Sequence, residues 1–301
     1  MPPARPRRSS RSTTCASLPG CCHDDPGGVG GHRSRRDGPL GRRGRNVSVR
    51  IERPEPHLTA LIIDRPERRN AFDTDTARRL ADAFGGIGPE VRALIVHGAG
   101  GHFCSGADVK EREGMTDERW QEQHRLFEVA FSRLRAVAAP VVAAVEGVAL
   151  GGGFELALSC DLIVCGRSAR FSFPEVTRGI VPGLGGMALL ARRAGPGRAK
   201  ELVLTGRILA AEEAAAWGVA NLVVDDGDTM AHAVALASTL AANAPVAVRE
   251  AKKAIESGFG RNLEETVEME LEAYSRVVPT EDRREGIRAF NEGRPARFKG
   301  R

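Results

Sequence analysis

The stretch Gly147-Val-Ala-Leu-Gly-Gly-Gly-Phe-Glu-Leu-Ala-Leu-Ser-Cys-Asp161 decides the reading of this chain. A glycine run opens a helical pattern, and a carboxylate flanked by apolar residues follows within one turn. Gly151, Gly152 and Gly153 carry no Cβ, so a ligand oxygen can approach the backbone closely, and the N–H groups of a first helical turn have no intrahelical acceptor. Glu155 lies three positions after Gly152, on the same face of the helix. Its neighbours Phe154, Leu156, Ala157 and Leu158 argue against simple exposure.

A second carboxylate, Glu175, stands in Ala169-Arg-Phe-Ser-Phe-Pro-Glu-Val176, an apolar, strand-like setting. Working outward, short β-branched or aliphatic runs end in Gly or Pro and are followed by helical periodicity. Leu58–Ile63, Ala93–Val96, Val141–Val145 and Leu162–Val164 are expected as strands buried on at least one face. Thr74–Phe84, with Asp73 as its N-cap, and Thr116–Val137 are expected as helices. Strand, glycine turn and helix recur after 93 and after 141, a loose internal repeat. Past Met230 only helical patterns remain, interrupted at Pro245, at 258–260 and at Pro279. Periodicity alone therefore gives an α/β region followed by an α region.

These motifs, in this order, resemble the enoyl-CoA hydratase/isomerase, or crotonase, family from Val47 to Arg301. Ser105-Gly-Ala-Asp108 resembles the family segment that supplies one oxyanion N–H, here at Ala107, and Gly152 matches the second. Glu155 and Glu175 fall on the two glutamate positions of the family's hydratases, and Glu281-Asp-Arg-Arg-Glu-Gly-Ile-Arg-Ala-Phe290 resembles its C-terminal helix. The resemblance implies a crotonase-like spiral of ββα turns with a C-terminal helical trimerisation region. Residues 47–240 would form the core and 241–301 the oligomerisation region of a homotrimer or homohexamer. Arg68, Arg69 and Ala71 match the segment approaching the CoA nucleotide, where Arg suits phosphate geometrically, and Ser105, Gly106, Asp108 and Gly151 would complete the substrate site. A surface role for Arg68 and Arg69 is the competing reading.

The net charge of +5 misleads, because residues 1–46 hold ten arginines against Asp24, Asp25 and Asp37, leaving the remainder with 34 basic and 36 acidic residues. A remainder that is slightly acidic is not a nucleic-acid binder by charge. No run of about 18 apolar residues suggests a transmembrane helix, and Cys104, Cys160 and Cys165 lack metal spacing, as expected for reduced, buried thiols of a cytoplasmic enzyme. The first 46 residues are rich in Arg, Pro, Gly and Ser and poor in aliphatic side chains, a composition expected to stay disordered. Cys15, Cys21, Cys22 and His23 lack the rest of a zinc framework. Pro2, Pro3 and Pro6 oppose the amphipathic helix of a transit peptide, and a start at Val47 is the third reading of this extension.

The implied chemistry is reversible hydration of a trans-2-enoyl-CoA, with no cofactor beyond the coenzyme A of the acyl-CoA thioester substrate. Charge would develop on a thioester oxygen held by the Ala107 and Gly152 N–H groups, each such donor being worth about 3 kcal/mol in favourable sites. Glu155 would activate water and Glu175 would exchange the proton at Cα. Two nearby carboxylates in a dry pocket resist double ionisation, so one keeps its proton near neutral pH. Alternatives are a double-bond isomerase, a crotonobetainyl-CoA hydratase, and a non-catalytic scaffold or RNA-binding protein. Taken singly, the glycine run could serve packing only, and Glu175 after Pro174 could start a helix. Gly183-Leu-Gly-Gly-Met-Ala188 could be scored as a dinucleotide fingerprint, but Pro182 precedes it and no acid-ended strand follows. Phe173, Gly186-Met187-Ala188 and Val148 depart from common hydratase residues, which leaves the acyl group open.

Overall fold

A computed structural model describes residues 48–301, which lie within one structural unit, Arg45–Arg301. The expectations for residues 1–46 and Val47 fall outside the described residues. The described residues form nine strands: β1 Val49–Glu52, β2 Leu58–Ile63, β3 Ala93–Gly98, β4 Val141–Val145, β5 Val148–Leu150, β6 Leu162–Gly166, β7 Arg170–Ser172, β8 Leu209–Ala210 and β9 Leu222–Val224. The helices are α1 Thr74–Gly85, α2 Val109–Arg112, α3 Asp117–Arg135, α4 Gly152–Leu158, α5 Gly186–Ala194, α6 Pro196–Thr205 and α7 Ala211–Ala216, then α8 Thr229–Ala242, α9 Pro245–Gly258, α10 Leu263–Val277 and α11 Glu281–Asn291.

The strands sort into two sheets. The larger runs β1-β2-β3-β4-β6-β9, with β1 antiparallel to β2 and every other pair parallel, and the smaller runs β5-β7-β8. The chain leaves β4 through Glu146 and Gly147 into β5 and then α4, and leaves β6 for β7 and later α5, so successive turns read strand, strand, helix. This is the expected ββα spiral. Before β5 the second layer is represented only by single bridges, Phe72 with Ala107 and Cys104 with Ala149.

The central strands are apolar on both sides, as parallel strands covered on two faces must be. Leu94, Val96, Val141, Ala143, Val145, Ile163 and Cys165 point into the main core, while Ala93, Ile95, Val142, Ala144 and Val164 meet Ala233, Ala237 and Ala241 of α8. Small alanines let α8 lie close against the sheet. Helix α8 runs across the boundary expected at 240/241, so the helical region begins inside the core.

The local signals hold with small shifts at the ends. Asp73 caps α1 by accepting from Thr76 N at 2.8 Å. Thr116, expected as the first helical residue, instead caps α3 through its hydroxyl, which satisfies an otherwise orphan N–H. Pro245 sits at the start of α9, where a missing N–H costs nothing. Glu175 is a correction: Pro174 ends the extended run, and Glu175–Arg178 form a 3-10 turn. Val267, Leu271 and Tyr274 of α10 are exposed, so this apolar stripe does not cover the chain's own core. Among the described residues, no single helix is long and apolar enough to cross a membrane.

Candidate active site

A cavity of about 1000 Å³ opens between the turn after β3, the N-terminus of α4, the 3-10 turn at Glu175 and helix α3. Ser105, Gly106, Ala107, Gly151, Gly152, Glu155 and Glu175 all line it. Residues far apart in sequence meet here, from Phe72 before α1 to Leu184 before α5.

The backbone of the two glycine segments is locked together. Leu150 N donates to Cys104 O at 3.0 Å and Cys104 N donates to Val148 O at 3.0 Å, while Phe72 N donates to Gly106 O at 2.9 Å. A Cβ on Gly153 would stand 2.1 Å from Cys104 O, and one on Gly106 would stand 2.7 Å from Leu150 O, so both positions require glycine. Within this mesh the N–H groups of Ala107 and Gly152 donate to no acceptor among the described residues. They are two free donors on one cavity wall.

The two carboxylates are held differently. Glu155 is buried, and its Oε1 accepts from Leu184 N at 2.7 Å and Gly186 N at 2.9 Å. Burial raises its pKa, opposed by the N–H groups of Gly186 and Leu184 and by His124. Those N–H groups belong to the Gly183–Gly186 run, so the segment that could be scored as a nucleotide fingerprint spends its donors on Glu155. Glu175 Oε1 lies 2.6 Å from where a Cβ on Gly151 would stand, and Gly151 adopts φ 53°, which favours glycine on its own account. Its Oε2 is buried with no hydrogen-bond partner. Burial first, and the nearby Glu155 after it, push the Glu175 carboxyl up to about 7, against the opposing effects of a backbone N–H and Arg178.

Four other expected site residues stand off the cavity wall. Arg68 and Arg69 are exposed and do not line the cavity, although Ser105 N donates to Arg69 O at 3.0 Å and Ser105 Oγ to Arg68 O at 3.2 Å. Asp108 caps α2 and pairs with Arg65 at 3.1 Å, and Arg65 also pairs with Asp73 at 3.0 Å. Ala71 is buried, and its carbonyl accepts from the Arg65 guanidinium. Ala71 and Asp108 are therefore engaged with Arg65 in shaping the loop behind Ala107.

Sequence reasoning missed the residue that organises that loop. Asn70 is fully buried with φ 56°; its Oδ1 accepts from Arg65 N at 2.9 Å, and its Nδ2 donates to Ala99 O at 2.7 Å and His102 O at 2.6 Å. An Asn between positively charged residues and an Ala-Phe pair is a weak but readable signal, since Asn tolerates left-handed backbone and satisfies itself locally. Also unforeseen were the contributions of Arg112 and Trp120, His124 and Leu184 to the cavity. Among the described residues no group of three His, Cys, Asp or Glu side chains is arranged to hold a metal ion.

Comparison with known proteins fits this geometry. The sequence profile of the enoyl-CoA hydratase/isomerase family matches residues 56–301. The chain is similar to the short-chain-enoyl-CoA hydratase of Clostridium acetobutylicum, 38% identical over 243 residues that make up 80% of this chain and 93% of the relative. It is 36% identical to the crotonyl-CoA hydratase of Syntrophomonas wolfei over 247 residues, 81% of this chain and 95% of that one. The crystal structure of an enoyl-CoA hydratase from Bacillus anthracis superposes with a TM-score of 0.82 at 36% identity, covering 85% of this chain and all of the other.

Proposed function

The chain belongs to the enoyl-CoA hydratase/isomerase family, and we propose that within it this protein hydrates trans-2-enoyl-CoA thioesters reversibly to 3-hydroxyacyl-CoA. The observation that carries the reading is the unequal pair of acids beside two free N–H donors. Glu155, whose Oε1 takes two N–H bonds, suits the anionic base, since hydrogen bonds to a carboxylate favour its charged form. Glu175, with a pKa near 7 and an unpartnered Oε2, suits the acid.

In the hydration direction, the thioester oxygen accepts from Ala107 N and Gly152 N. Glu155 takes a proton from water as the water oxygen bonds to Cβ, and the electrons of the Cα=Cβ bond move onto the thioester as an enolate. Glu175 then gives its proton to Cα, the enolate collapses to the thioester, and proton exchange with solvent resets both acids. The two backbone donors stabilise charge where it develops, each by about 3 kcal/mol. The positioned acid and base supply about 10²- to 10⁴-fold apiece. Coenzyme A belongs to the substrate, and the scheme calls on no metal or redox cofactor.

Isomerisation needs only one group to carry a proton between Cα and Cγ. The separate anchoring of Glu155 favours water activation over that reading. The exposed stripe of α10 supports assembly into a homotrimer or homohexamer, since exposed apolar faces mark interaction surfaces; light scattering that finds a monomer would remove that part. The function is tested by incubating purified protein with crotonyl-CoA and following loss of the conjugated thioester absorbance. Conversion of 3-enoyl-CoA without hydration would give the isomerase instead.

A further inference from the structure

Apart from Glu155 and Glu175, the only cavity-lining side chains capable of charge that are half-buried are Arg112 and His124; Lys110, Glu113, Arg125, Glu128 and Arg178 are exposed at its rim. His124 sits 3.4 Å from Glu128. Arg112 has no carboxylate partner among the described residues. Its guanidinium lies 4.2 Å from the centre of the Trp120 ring and 5.3 Å from that of Phe127. Its Nε donates to Gln123 Oε1 at 2.8 Å, and its two terminal nitrogens make no hydrogen bond to the described residues. Of the two acids adjacent in sequence, Glu113 is exposed, and Glu111 is engaged elsewhere, accepting from Thr74 N at 3.0 Å and Gln123 Nε2 at 2.7 Å. Burial lowers the Arg112 pKa and Glu111 only partly offsets it, as expected for a cation taken from water without a counter-ion.

An arginine stacked on aromatic rings, fixed through Nε and left with its terminal fork free, is set to take a planar anion by two parallel bonds. Its place in the cavity connects it to the reacting end. Phe127 packs edge-on against Phe72 with centroids 5.0 Å apart, and Phe72 Cζ lies 2.7 Å from where a Cβ on Gly152 would stand. Two rings thus separate the free fork of Arg112 from the oxyanion donor, the kind of span a short acyl chain crosses. We infer that this protein prefers 2-enoyl-CoA substrates whose acyl chain ends in a carboxylate, with Arg112 as the residue that recognises it. The inference rests on the reading of the cavity as an enoyl-CoA site and narrows its substrate class.

The same fork could meet a phosphate of coenzyme A, and the two sources separate experimentally. Compared with crotonyl-CoA, trans-glutaconyl-CoA should show the higher kcat/KM in the wild-type protein. R112M should reduce the ratio of the two values about 10- to 100-fold, the scale of a lost charged hydrogen-bonding partner. R112K, which keeps the charge and loses the planar fork, should fall between them. A ratio that R112M leaves unchanged, whether both values fall together or neither does, overturns the inference, because phosphate binding or a structural role would act on both substrates alike.

A binding arm that needs no turnover uses the saturated thioesters. Glutaryl-CoA should raise the Tm of the wild-type protein more than butyryl-CoA at equal concentration, and R112M or R112Q should erase the difference. If that difference is present while neither enoyl thioester is hydrated, the hydratase reading fails and the carboxylate inference stands. If crotonyl-CoA is hydrated while the two saturated thioesters bind alike, the inference fails and the hydratase reading stands.

Discussion

Glu155 and Glu175 face one cavity from opposite kinds of structure. Glu155 projects from a regular helix, and its Oε1 is tied down by two main-chain N–H groups from a loop some thirty residues later. Glu175 starts a short 3-10 turn, and one of its oxygens is buried without a partner. The difference teaches how one fold can give identical side chains different settings: burial raises both carboxyls, but two N–H bonds oppose it at Glu155, while Glu175 is pushed up to about 7.

The largest test of that contrast is removal of each titration in turn. Glu155→Gln and Glu175→Gln keep size and hydrogen-bonding capacity, so folding should survive and crotonyl-CoA hydration should fall by about 10²-fold or more in both. A Glu155→Gln protein that hydrates normally would erase the distinction between base and acid. Retention of 3-enoyl-CoA isomerisation by that variant would move the assignment to an isomerase.

The second test is the pH profile. The proposed hydration needs Glu175 protonated, so on that reading, with its pKa near 7, the rate should decline above neutrality, approaching about tenfold per pH unit. On the acid side the rate should fall as Glu155 takes up a proton, in a range above the ordinary carboxylate value of 4.5. The alkaline limb should vanish in whatever residual activity Glu175→Gln retains; its persistence there would assign it to another group.

A smaller effect is expected from the anchor itself. A Cβ on Gly186 would lie 2.6 Å from Glu155 Cγ and 2.6 Å from Phe173 Cζ, and Phe173 is fully buried against Phe154 at 4.8 Å between centroids. Gly186→Ala should therefore displace Glu155, lowering kcat about tenfold with KM less affected, and cost about 1–3 kcal/mol of stability through overpacking. Equal kcat in wild type and variant would show that the anchor tolerates movement.

The smallest effect is on stability, and its sign follows from the two pKa values of Glu175. Below 4.5 the carboxyl holds its proton in both folded and unfolded chains and contributes no difference. Between 4.5 and about 7 the unfolded chain loses the proton first, so native stability falls as pH rises, and the loss is complete above 7. Glu175→Gln should have nearly the wild-type Tm at about pH 4.5 and exceed it at about pH 8. A Tm difference independent of pH would mean that the buried carboxyl carries no such penalty.

Much of this was legible in the sequence because it depends on neighbours in the chain. The strands at 58, 93, 141 and 162 follow from apolar runs closed by Gly or Pro, and the burial of Glu155 follows from Phe154, Leu156, Ala157 and Leu158 on either side. What was illegible depends on contacts across loops. Arg65, Arg68 and Arg69 are alike in sequence, yet only Arg65 turns inward, because Arg69 and Asn70 take φ of 50° and 56° and reverse the chain after it. Glu175 looked strand-borne because the apolar alternation runs through Phe171 and Phe173, and Pro174 then stops it. Nothing local to Leu184 or Gly186 announces that their N–H groups are spoken for by Glu155.

That anchor also shapes how the gene can drift. The main chain, rather than any side chain, grips Glu155, so replacing Leu184 by another residue with an N–H leaves both donors in place, whereas proline there would delete one. Loss or gain of a single codon between Leu184 and Gly186 would change the spacing of the two donors, so that both could no longer meet one carboxylate oxygen as they do. Heritable change at this acid is thus buffered against most exchanges of letters and exposed to changes in their number.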